Sequence, residues 1–192
     1  ILSAPPFLYH TGAPGTLDDF GLATRLSYFL WRSMPDAELF DLAGVGRLSE
    51  PTVLAGQVDR MLDDIRSERF VQDFAGQAFR LYELGATAPD PTLYPEFDGR
   101  LGQAIEEETE LFLAELIATN HGVGRLIDAD FTFLNRRLAE HYGVEDVEGQ
   151  QMRKVTLPAD SPRGGLLTQA SILKITANGT TTSPIPRGNF VL

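Results

Sequence analysis

The sequence predicts an all-α protein, an irregular bundle of about six helices with an extended, loop-rich C-terminal segment. Apolar residues recur at helical spacing through most of the chain up to residue 145. Clusters of glycine and proline separate these periodic segments, and turn-forming residues become frequent after them. Hydrophobic residues make up 43% of the 192 residues, which is too apolar for a disordered chain and enough for a packed core.

The first two helices are predicted at residues 18–32 and 36–44. Asp18 and Asp19 favour a helix start, because acidic side chains at this end accept hydrogen bonds from free backbone amides and complement the helix dipole. Pro35 suits the start of the second helix, since its fixed φ angle is compatible with a first helical turn.

The next two helices are predicted at residues 50–64 and 67–84. Ser49 is the expected N-cap of the first, with Pro51 in its first turn. The second carries apolar residues around much of its circumference, which indicates a central, well-covered helix.

The longest helix is predicted at residues 96–120, and a shorter helix is predicted at 133–142 with Gly143 as its C-terminal stop. After Gly143 the pattern changes. Weak alternation over 151–157 favours an extended segment, and residues 166–172 favour a short helix.

Three pieces are predicted along the chain. Residues 1–16 form the tail of a preceding domain or a linker, 17–145 form a central helical domain, and 146–192 form a connector and the truncated start of another domain. The first residue is Ile1, and the final apolar run from Gly188 is typical of the start of a helix. We therefore expect the sequence to be part of a longer protein.

Composition excludes several classes of function. The chain has no cysteine, so these residues hold no disulfide, Cys-ligated metal site, thiol nucleophile or covalently attached c-type haem. Its 16 basic and 27 acidic residues give a net charge of -11, which argues against binding to nucleic acid or to an anionic membrane. No apolar stretch approaches the roughly 18–20 residues of a membrane span.

A run of glutamates in the longest helix raises the question of a metal site. A ferritin-like di-iron site needs Glu-x-x-His pairs, and none of these glutamates has a histidine three residues later. The sequence therefore predicts no metal site and a solvated acidic helix face, made by Glu106, Glu107, Glu108 and Glu110.

No catalytic residue is assigned from the sequence. The acids on which an enzyme hypothesis rests are Glu108, Asp128 and Asp130. Asp128 and Asp130 also flank Ala129 just before a predicted helix, where capping explains them at least as readily as catalysis.

Histidine and methionine are residue types of this chain suited to ligate a haem or another metal centre. His121 and His141 lie at predicted helix ends, where the charged form is favoured by the terminal carbonyls, and His10 lies near the start of the chain. His141 is the better functional candidate because it adjoins the segment in which the pattern changes. The three methionines are considered as axial haem ligands, although Met61 is expected in the core and Met34 beside a proline; the third is Met152.

The most unusual polar feature is the Thr/Ser run 180–183, which Arg187 follows closely. Its hydroxyls and amides are suited to holding a carboxylate or phosphate. They are equally suited to a turn that satisfies its own backbone.

Several longer stretches resemble a known group of proteins. These stretches are Arg25-Leu26-Ser27-Tyr28-Phe29-Leu30-Trp31-Arg32-Ser33-Met34-Pro35-Asp36, Asp130-Phe131-Thr132-Phe133-Leu134-Asn135, His141-Tyr142-Gly143, Arg163-Gly164-Gly165-Leu166-Leu167-Thr168-Gln169-Ala170-Ser171 and Thr176-Ala177-Asn178-Gly179-Thr180-Thr181-Thr182-Ser183-Pro184. Together they resemble the planctomycete-type secreted cytochrome-associated proteins, in a central helical domain of unknown function and the start of the cytochrome-like domain that follows it.

The resemblance implies a haem c in an adjacent downstream domain and no cofactor within this chain. It implies neighbouring domains of the same polypeptide as partners, including that c-type haem domain, and a periplasmic, cell-surface or secreted location. Under this interpretation Arg187 and His141 contact the haem domain, with Arg187 offering a guanidinium fork to a haem propionate.

The first functional hypothesis is therefore a non-catalytic scaffold or docking module of an exported c-type cytochrome-containing protein, supporting electron transfer. One alternative is a domain of a secreted enzyme that acts on polysaccharide by hydrolysis or oxidation. Another alternative is a purely structural cell-surface module.

Overall fold

The computed structural model describes residues 15–192. His10 and all but the last two residues of the predicted tail or linker at 1–16 therefore lie outside the described residues. The described part is mostly helical, as predicted, with eight α-helices. It also holds a two-stranded antiparallel sheet, which the all-α prediction did not include. None of the helices within residues 15–192 combines the length and apolar character that crossing a bilayer demands.

The elements are named here in chain order. The helices are α1 (Asp19–Trp31), α2 (Ala37–Gly44), α3 (Pro51–Leu62), α4 (Glu68–Ala78), α5 (Gly99–Ala118), α6 (Arg136–Tyr142), α7 (Ala170–Ile175) and α8 (Pro184–Val191). The strands are β1 (Phe131–Leu134) and β2 (Arg153–Thr156). Single 3-10 turns occur at Ile65–Ser67, Leu81–Glu83, Val123–Leu126 and Leu166–Thr168.

The chain divides into two units, one ending at Phe70 and the other spanning Val71–Leu192. Each unit is described by itself. The predicted division of the sequence at residue 145 is a different one and stays a prediction.

The first unit is built around the indole of Trp31, which is fully buried at the end of α1. Its ring nitrogen donates a hydrogen bond of 2.9 Å to the backbone oxygen of Met61 at the end of α3. Met61 is itself fully buried, which confirms its expected place in the core. The rest of this apolar cluster is Ala23, Leu30, Leu39, Ala43 and Leu48.

Arginines surround the same indole. The guanidinium carbon of Arg66 lies 3.4 Å from the ring centroid, and that of Arg60 lies 5.4 Å away. Arg69 donates a hydrogen bond to the backbone oxygen of Trp31. A cation–π contact of this kind contributes about 0.5–2 kcal/mol. Trp31 therefore stabilises this unit by polar contacts as well as by burial of its apolar surface.

Two aspartates cap helices of the first unit. Asp18 accepts a hydrogen bond from the amide of Gly21, as its predicted role at the start of α1 requires. Asp36 accepts one from the amide of Leu39 at the start of α2, and its carboxylate also accepts two hydrogen bonds from Arg60. Asp36 therefore joins the start of α2 to α3.

The expected N-cap of α3 was wrong. Glu50, not Ser49, occupies the cap position before Pro51, and its side chain makes no cap hydrogen bond. The Glu50 carboxylate pairs with Arg47 instead, at 3.1 Å. Because Pro51 has no N–H, this helix start has one fewer donor to satisfy.

The helix predicted at 67–84 ends early, at Ala78. Arg80 adopts a left-handed backbone conformation with a φ of 57°, which no α-helix accommodates. Its guanidinium is held by Glu83, at 2.7 Å, and the chain continues as a 3-10 turn from Leu81. The apolar periodicity predicted a continuous helix because it does not include this ion pair between Arg80 and Glu83.

The sheet corrects a second prediction. β1 pairs antiparallel with β2, with Phe131 opposite Thr156, so the extended segment predicted at 151–157 is confirmed. The helix predicted from Phe133 was wrong at its start, because β-branched and aromatic residues favour the strand there. Asn135 caps α6 by accepting from the amide of Leu138, and Gly143 ends the helix with a φ of 69°, as predicted.

Asp36→Ala tests the capping interaction of the first unit. We expect it to lower the free energy of unfolding by about 1–2 kcal/mol, the usual cost of losing an N-cap. Urea unfolding followed by tryptophan fluorescence measures this unit, because Trp31 is the one tryptophan of the chain.

Glu50→Ala is the matched control, since Glu50 occupies an N-cap position without a cap hydrogen bond. We expect this control to change stability by less than about 0.5 kcal/mol, as surface substitutions usually do. Equal losses in the two variants would contradict a capping role for Asp36.

Candidate functional site: a buried carboxyl network and an adjoining pocket

The centre of the second unit is the carboxyl group of Glu108, on α5, which is 1% exposed. One of its oxygens accepts a hydrogen bond of 2.5 Å from the hydroxyl of Thr132 in β1. The other accepts a hydrogen bond of 2.5 Å from the hydroxyl of Tyr142, the last residue of α6. A single side chain thus joins α5 to both neighbouring elements.

The network continues to the start of α7. The Tyr142 oxygen accepts a hydrogen bond of 2.7 Å from the amide of Ala170. Next to Glu108 on α5, the hydroxyl of Thr109 lies 2.7 Å from Oε1 of Gln169 and 2.6 Å from the hydroxyl of Ser171. Within residues 15–192 no buried side-chain nitrogen or oxygen lacks a hydrogen-bond partner.

Burial raises the pKa of Glu108 to about 7. The hydrogen bonds from Thr132 and Tyr142 and the positive charge of Arg163 act in the opposite direction, and they offset part of that rise. The carboxyl is therefore protonated in mildly acidic solution, where an exposed glutamate is ionised.

The prediction of a solvated acidic face was wrong for Glu108 and right for Glu106 and Glu107, which are exposed. Glu110 is partly buried, and this burial is the main reason that its pKa is raised. The negative charges of Glu106 and Glu107 add to the rise. The sequence did contain a signal for Glu108. It lies three residues after Ile105 and four before Phe112, which is the spacing of the inner helix face.

A pocket with a volume of about 240 Å³ adjoins this network within the second unit. His141 and Arg187, the two residues singled out from the sequence, both line it. Its walls are mainly apolar and come from Tyr94, Phe97, Leu101, Ile105, Tyr142, Ala170, Leu173 and Ala177.

Three basic residues line the same pocket: Arg163, Lys174 and Arg187. None of them pairs with a carboxylate in the part of the chain that the structure describes. Glu96 is the acidic residue of the lining. In a chain with a net charge of -11, such a lining is a local reversal of charge.

Each basic group is held by neutral partners. Arg187 donates long hydrogen bonds to the hydroxyl of Thr176, at 3.3 Å, and to the backbone oxygen of Leu173, at 3.4 Å. The ammonium group of Lys174 donates to the backbone oxygens of Leu84 and Thr87, and burial lowers its pKa.

Arg163 lies over the ring of Tyr142, with its guanidinium carbon 3.6 Å from the centroid. It donates a hydrogen bond of 2.8 Å to the backbone oxygen of Thr168. The two glycines that follow let the chain reach this place. A Cβ atom on Gly164 would lie 2.8 Å from the backbone oxygen of Ala129, and Gly165 has a φ of 73°.

His141 is an exposed residue of the pocket lining. Partial burial lowers its pKa, and the positive charges of Arg163 and Arg137 add to this effect against the opposing charge of Glu96. The neutral imidazole is thus favoured at neutral pH. His121, by contrast, is exposed elsewhere, beside the ring of Phe131.

The Thr/Ser loop forms a turn that satisfies its own backbone. The side-chain oxygen of Asn178 accepts hydrogen bonds from the amides of Thr180, at 3.1 Å, and Thr181, at 2.8 Å. Thr181 and Thr182 also line the pocket, so ligand contact by the same loop stays a hypothesis.

The candidate acids do not meet in the pocket. Asp128 and Asp130 are exposed, and Asp130 pairs with Arg125 at 3.1 Å. Glu108 faces a separate small cavity of about 10 Å³. Capping of α6 belongs to Asn135 and not to these aspartates.

The remaining candidate ligands are scattered. Met34 is 66% exposed, and Met152 packs partly buried beside the core of the second unit. Among residues 15–192 there is no group of three or more His, Cys, Asp or Glu side chains placed to hold a metal ion.

Comparison with known families gives the class of this protein. Residues 17–144 match the family PSD4, described as "Protein of unknown function (DUF1592)". Because the match spans more than half of the chain, the chain belongs to this family. No curated protein and no solved structure matches it.

The buried carboxyl predicts a specific pH dependence of stability. In the folded protein Glu108 keeps its proton up to about pH 7, whereas its ordinary pKa is 4.5. Between these two pH values unfolding releases a proton from Glu108. The stabilisation that the neutral carboxyl provides is therefore complete below about pH 4.5 and falls as the pH rises towards 7. Each unit of pKa difference corresponds to about 1.4 kcal/mol, so the free energy of unfolding falls by roughly 3 kcal/mol over this range.

Glu108→Gln cannot ionise, so we expect the stability of the wild type relative to this variant to fall by roughly that amount over the same window. Denaturant unfolding at several pH values between 4 and 8 measures the difference. Glu106→Gln, an exposed change on the same helix, should leave the profile unchanged. Parallel profiles for the wild type and Glu108→Gln would disprove the protonated state of the buried carboxyl.

Proposed function

We propose that this chain is a non-catalytic docking module of an exported protein that carries c-type haem, of the planctomycete-type cytochrome-associated kind, and that it supports electron transfer. The proposal rests on one structural observation together with the sequence resemblance. Residues 163–192, which resemble the start of a cytochrome-like domain, are fastened to the helical core of the second unit by hydrogen bonds between distant residues.

This fastening occurs at both ends of α7 and beyond it. At its start, Tyr142 and Thr109 hold the residues around Ala170. Further along, the backbone oxygen of Gly179 accepts from the amide of Asp90 at 2.9 Å, and Tyr94 donates to the backbone oxygen of Thr180 at 2.9 Å. A segment held at so many points is suited to carry an attached domain in a fixed position.

Within this proposal Arg187 and His141 contact the haem domain. A guanidinium is suited to a propionate carboxylate, and the hydrogen bonds that Arg187 makes to other described residues are long and go to neutral partners. The pocket does not fit a resident haem, because its volume of about 240 Å³ lies below even the roughly 300–1,000 Å³ of ordinary small-molecule sites. The residues of this chain would therefore orient a neighbouring haem domain and not ligate the iron.

The geometry favours docking over the polysaccharide-enzyme alternative. Glycoside hydrolysis needs two carboxyl groups about 5–10 Å apart across an open cleft. Here Glu108 is enclosed and fully hydrogen-bonded, while Asp128 and Asp130 are exposed and absent from the pocket lining. The purely structural alternative differs from docking in having no haem partner, which the following experiment tests.

The proposal is tested on the full-length gene product, produced with a c-type cytochrome maturation system. We expect a visible haem spectrum that survives acid–acetone extraction, which marks covalent attachment, and recovery of the protein from the exported fraction of the cells. A full-length product without haem, or one retained in the cytoplasm, would overturn the proposal. Haem-free protein that releases sugars from polysaccharide would favour the enzyme alternative.

The fastening itself is tested with Tyr142→Phe. This change leaves the buried Glu108 oxygen and the Ala170 amide without their shared partner, at a cost of about 1–3 kcal/mol each. We expect amide hydrogen exchange to become faster over residues 163–182 and to stay unchanged over α1–α3.

Tyr82→Phe is the matched control, since Tyr82 is 70% exposed in the same unit. Unchanged exchange around Ala170 in Tyr142→Phe would show that the hydroxyl does not hold the segment.

A further inference from the structure

We propose that the pocket of the second unit is a binding site for a small free carboxylate with an apolar, preferably aromatic, body. This inference goes beyond the docking role, because it concerns a dissolved ligand. It rests on the shape of the pocket, on its charge and on N–H donors that form no hydrogen bond within residues 15–192.

The body of the ligand is selected by the walls. The side chains of Phe97, Leu101, Ile105 and Leu173 face the pocket with no hydrogen-bonding groups. Aromatic and aliphatic walls with a few polar groups at fixed places are typical of small-molecule sites. The volume of about 240 Å³ lies just below the common range of about 300–1,000 Å³, so the ligand is small.

The charge of the ligand is selected by the basic residues. Three cationic side chains and one carboxylate line the pocket, although the whole chain has an excess of acidic residues. A carboxylate that enters adds counter-charge, since Glu96 is the one acidic residue beside these three cations among the lining residues that the structure describes.

Unused donors set the position of the carboxylate. A guanidinium has five N–H donors in a planar fork. Within the described residues the guanidinium of Arg187 makes two long hydrogen bonds and that of Arg163 makes one, so both retain N–H groups for a ligand. Lys174 is committed to two backbone oxygens and adds positive potential more than direct contact.

The direct test compares three probes of the same shape: 3-phenylpropionate, 3-phenylpropan-1-ol and 3-phenylpropylammonium. We expect saturable calorimetric binding of 3-phenylpropionate to the wild-type chain, with the alcohol at least about tenfold weaker and the ammonium not bound. Absence of saturable binding, or binding of the alcohol or ammonium as tight as that of the carboxylate, would overturn the inference.

Variants locate the site. Arg187→Gln should weaken 3-phenylpropionate binding about tenfold, as loss of a charged hydrogen-bond donor does. Arg125→Gln is the matched control, because Arg125 pairs with Asp130 outside the pocket lining. Equal weakening by both variants, or by neither, would contradict the proposed site.

A second measurement does not depend on how the Arg187 variant folds. A carboxylate bound in the pocket should raise the pKa of His141, which NMR titration of the wild type measures with and without 3-phenylpropionate. His121 lies outside the pocket lining and should not shift. Equal shifts at both histidines would mean that the probe associates nonspecifically.

The two proposals fail separately. If haem is absent from the full-length protein while 3-phenylpropionate still binds, the docking role fails and the carboxylate site stands. If haem is present and the probe does not bind to the isolated chain, the carboxylate site fails and the docking role stands. Binding to this chain that disappears in the haem-loaded full-length protein would assign the pocket to the neighbouring domain and overturn the free-ligand inference.

Discussion

The carboxyl group of Glu108 is the interaction on which the second unit depends, since it joins α5 to β1 through Thr132 and to α6 through Tyr142. Tyr142 in turn holds Ala170 at the start of α7, and its ring is both a wall of the pocket and the support of Arg163. Burial makes this carboxyl costly to ionise and raises its pKa to about 7, and the hydrogen bonds from Thr132 and Tyr142 offset part of that cost. One buried carboxyl therefore connects the packing of this unit to the shape of its pocket.

The first unit also buries a side chain with a polar group, but here the side chain is an indole and not a carboxyl. Trp31 is buried among apolar side chains, yet its ring nitrogen and its face both have polar neighbours, the backbone oxygen of Met61 and the guanidinium of Arg66. Asp36 accepts from both the backbone of α2 and the side chain of Arg60. Several residues of the stretch around Trp31 that carries the family resemblance thus have packing and capping roles within this unit.

The pocket differs from the rest of the molecule in its electrostatics. Five arginines of the described chain pair with acidic residues close in sequence, as Arg47 does with Glu50 and Arg80 with Glu83. Arg163 and Arg187 instead donate to backbone and hydroxyl oxygens beside apolar walls, and neither forms an ion pair within the described residues. Both proposals for the pocket rest on that combination, because positive charge beside apolar walls is suited to an apolar anion.

The sequence by itself determined the mainly helical class, most helix positions and the stops at Gly143 and after Gly44, because periodicity and backbone preferences are local properties. It also singled out His141 and Arg187. Only the tertiary structure brought these two residues to one pocket, because they lie on different helices and meet through folding. It also decided that Glu108 is buried while Glu106 is not, and that Phe131–Leu134 is a strand, since its partner strand lies some twenty residues away. A local sequence pattern does not show which distant residue will form hydrogen bonds with a buried carboxyl or with the edge of a strand. The sequence therefore predicted neither the partners of Glu108 nor the pairing of β1 with β2.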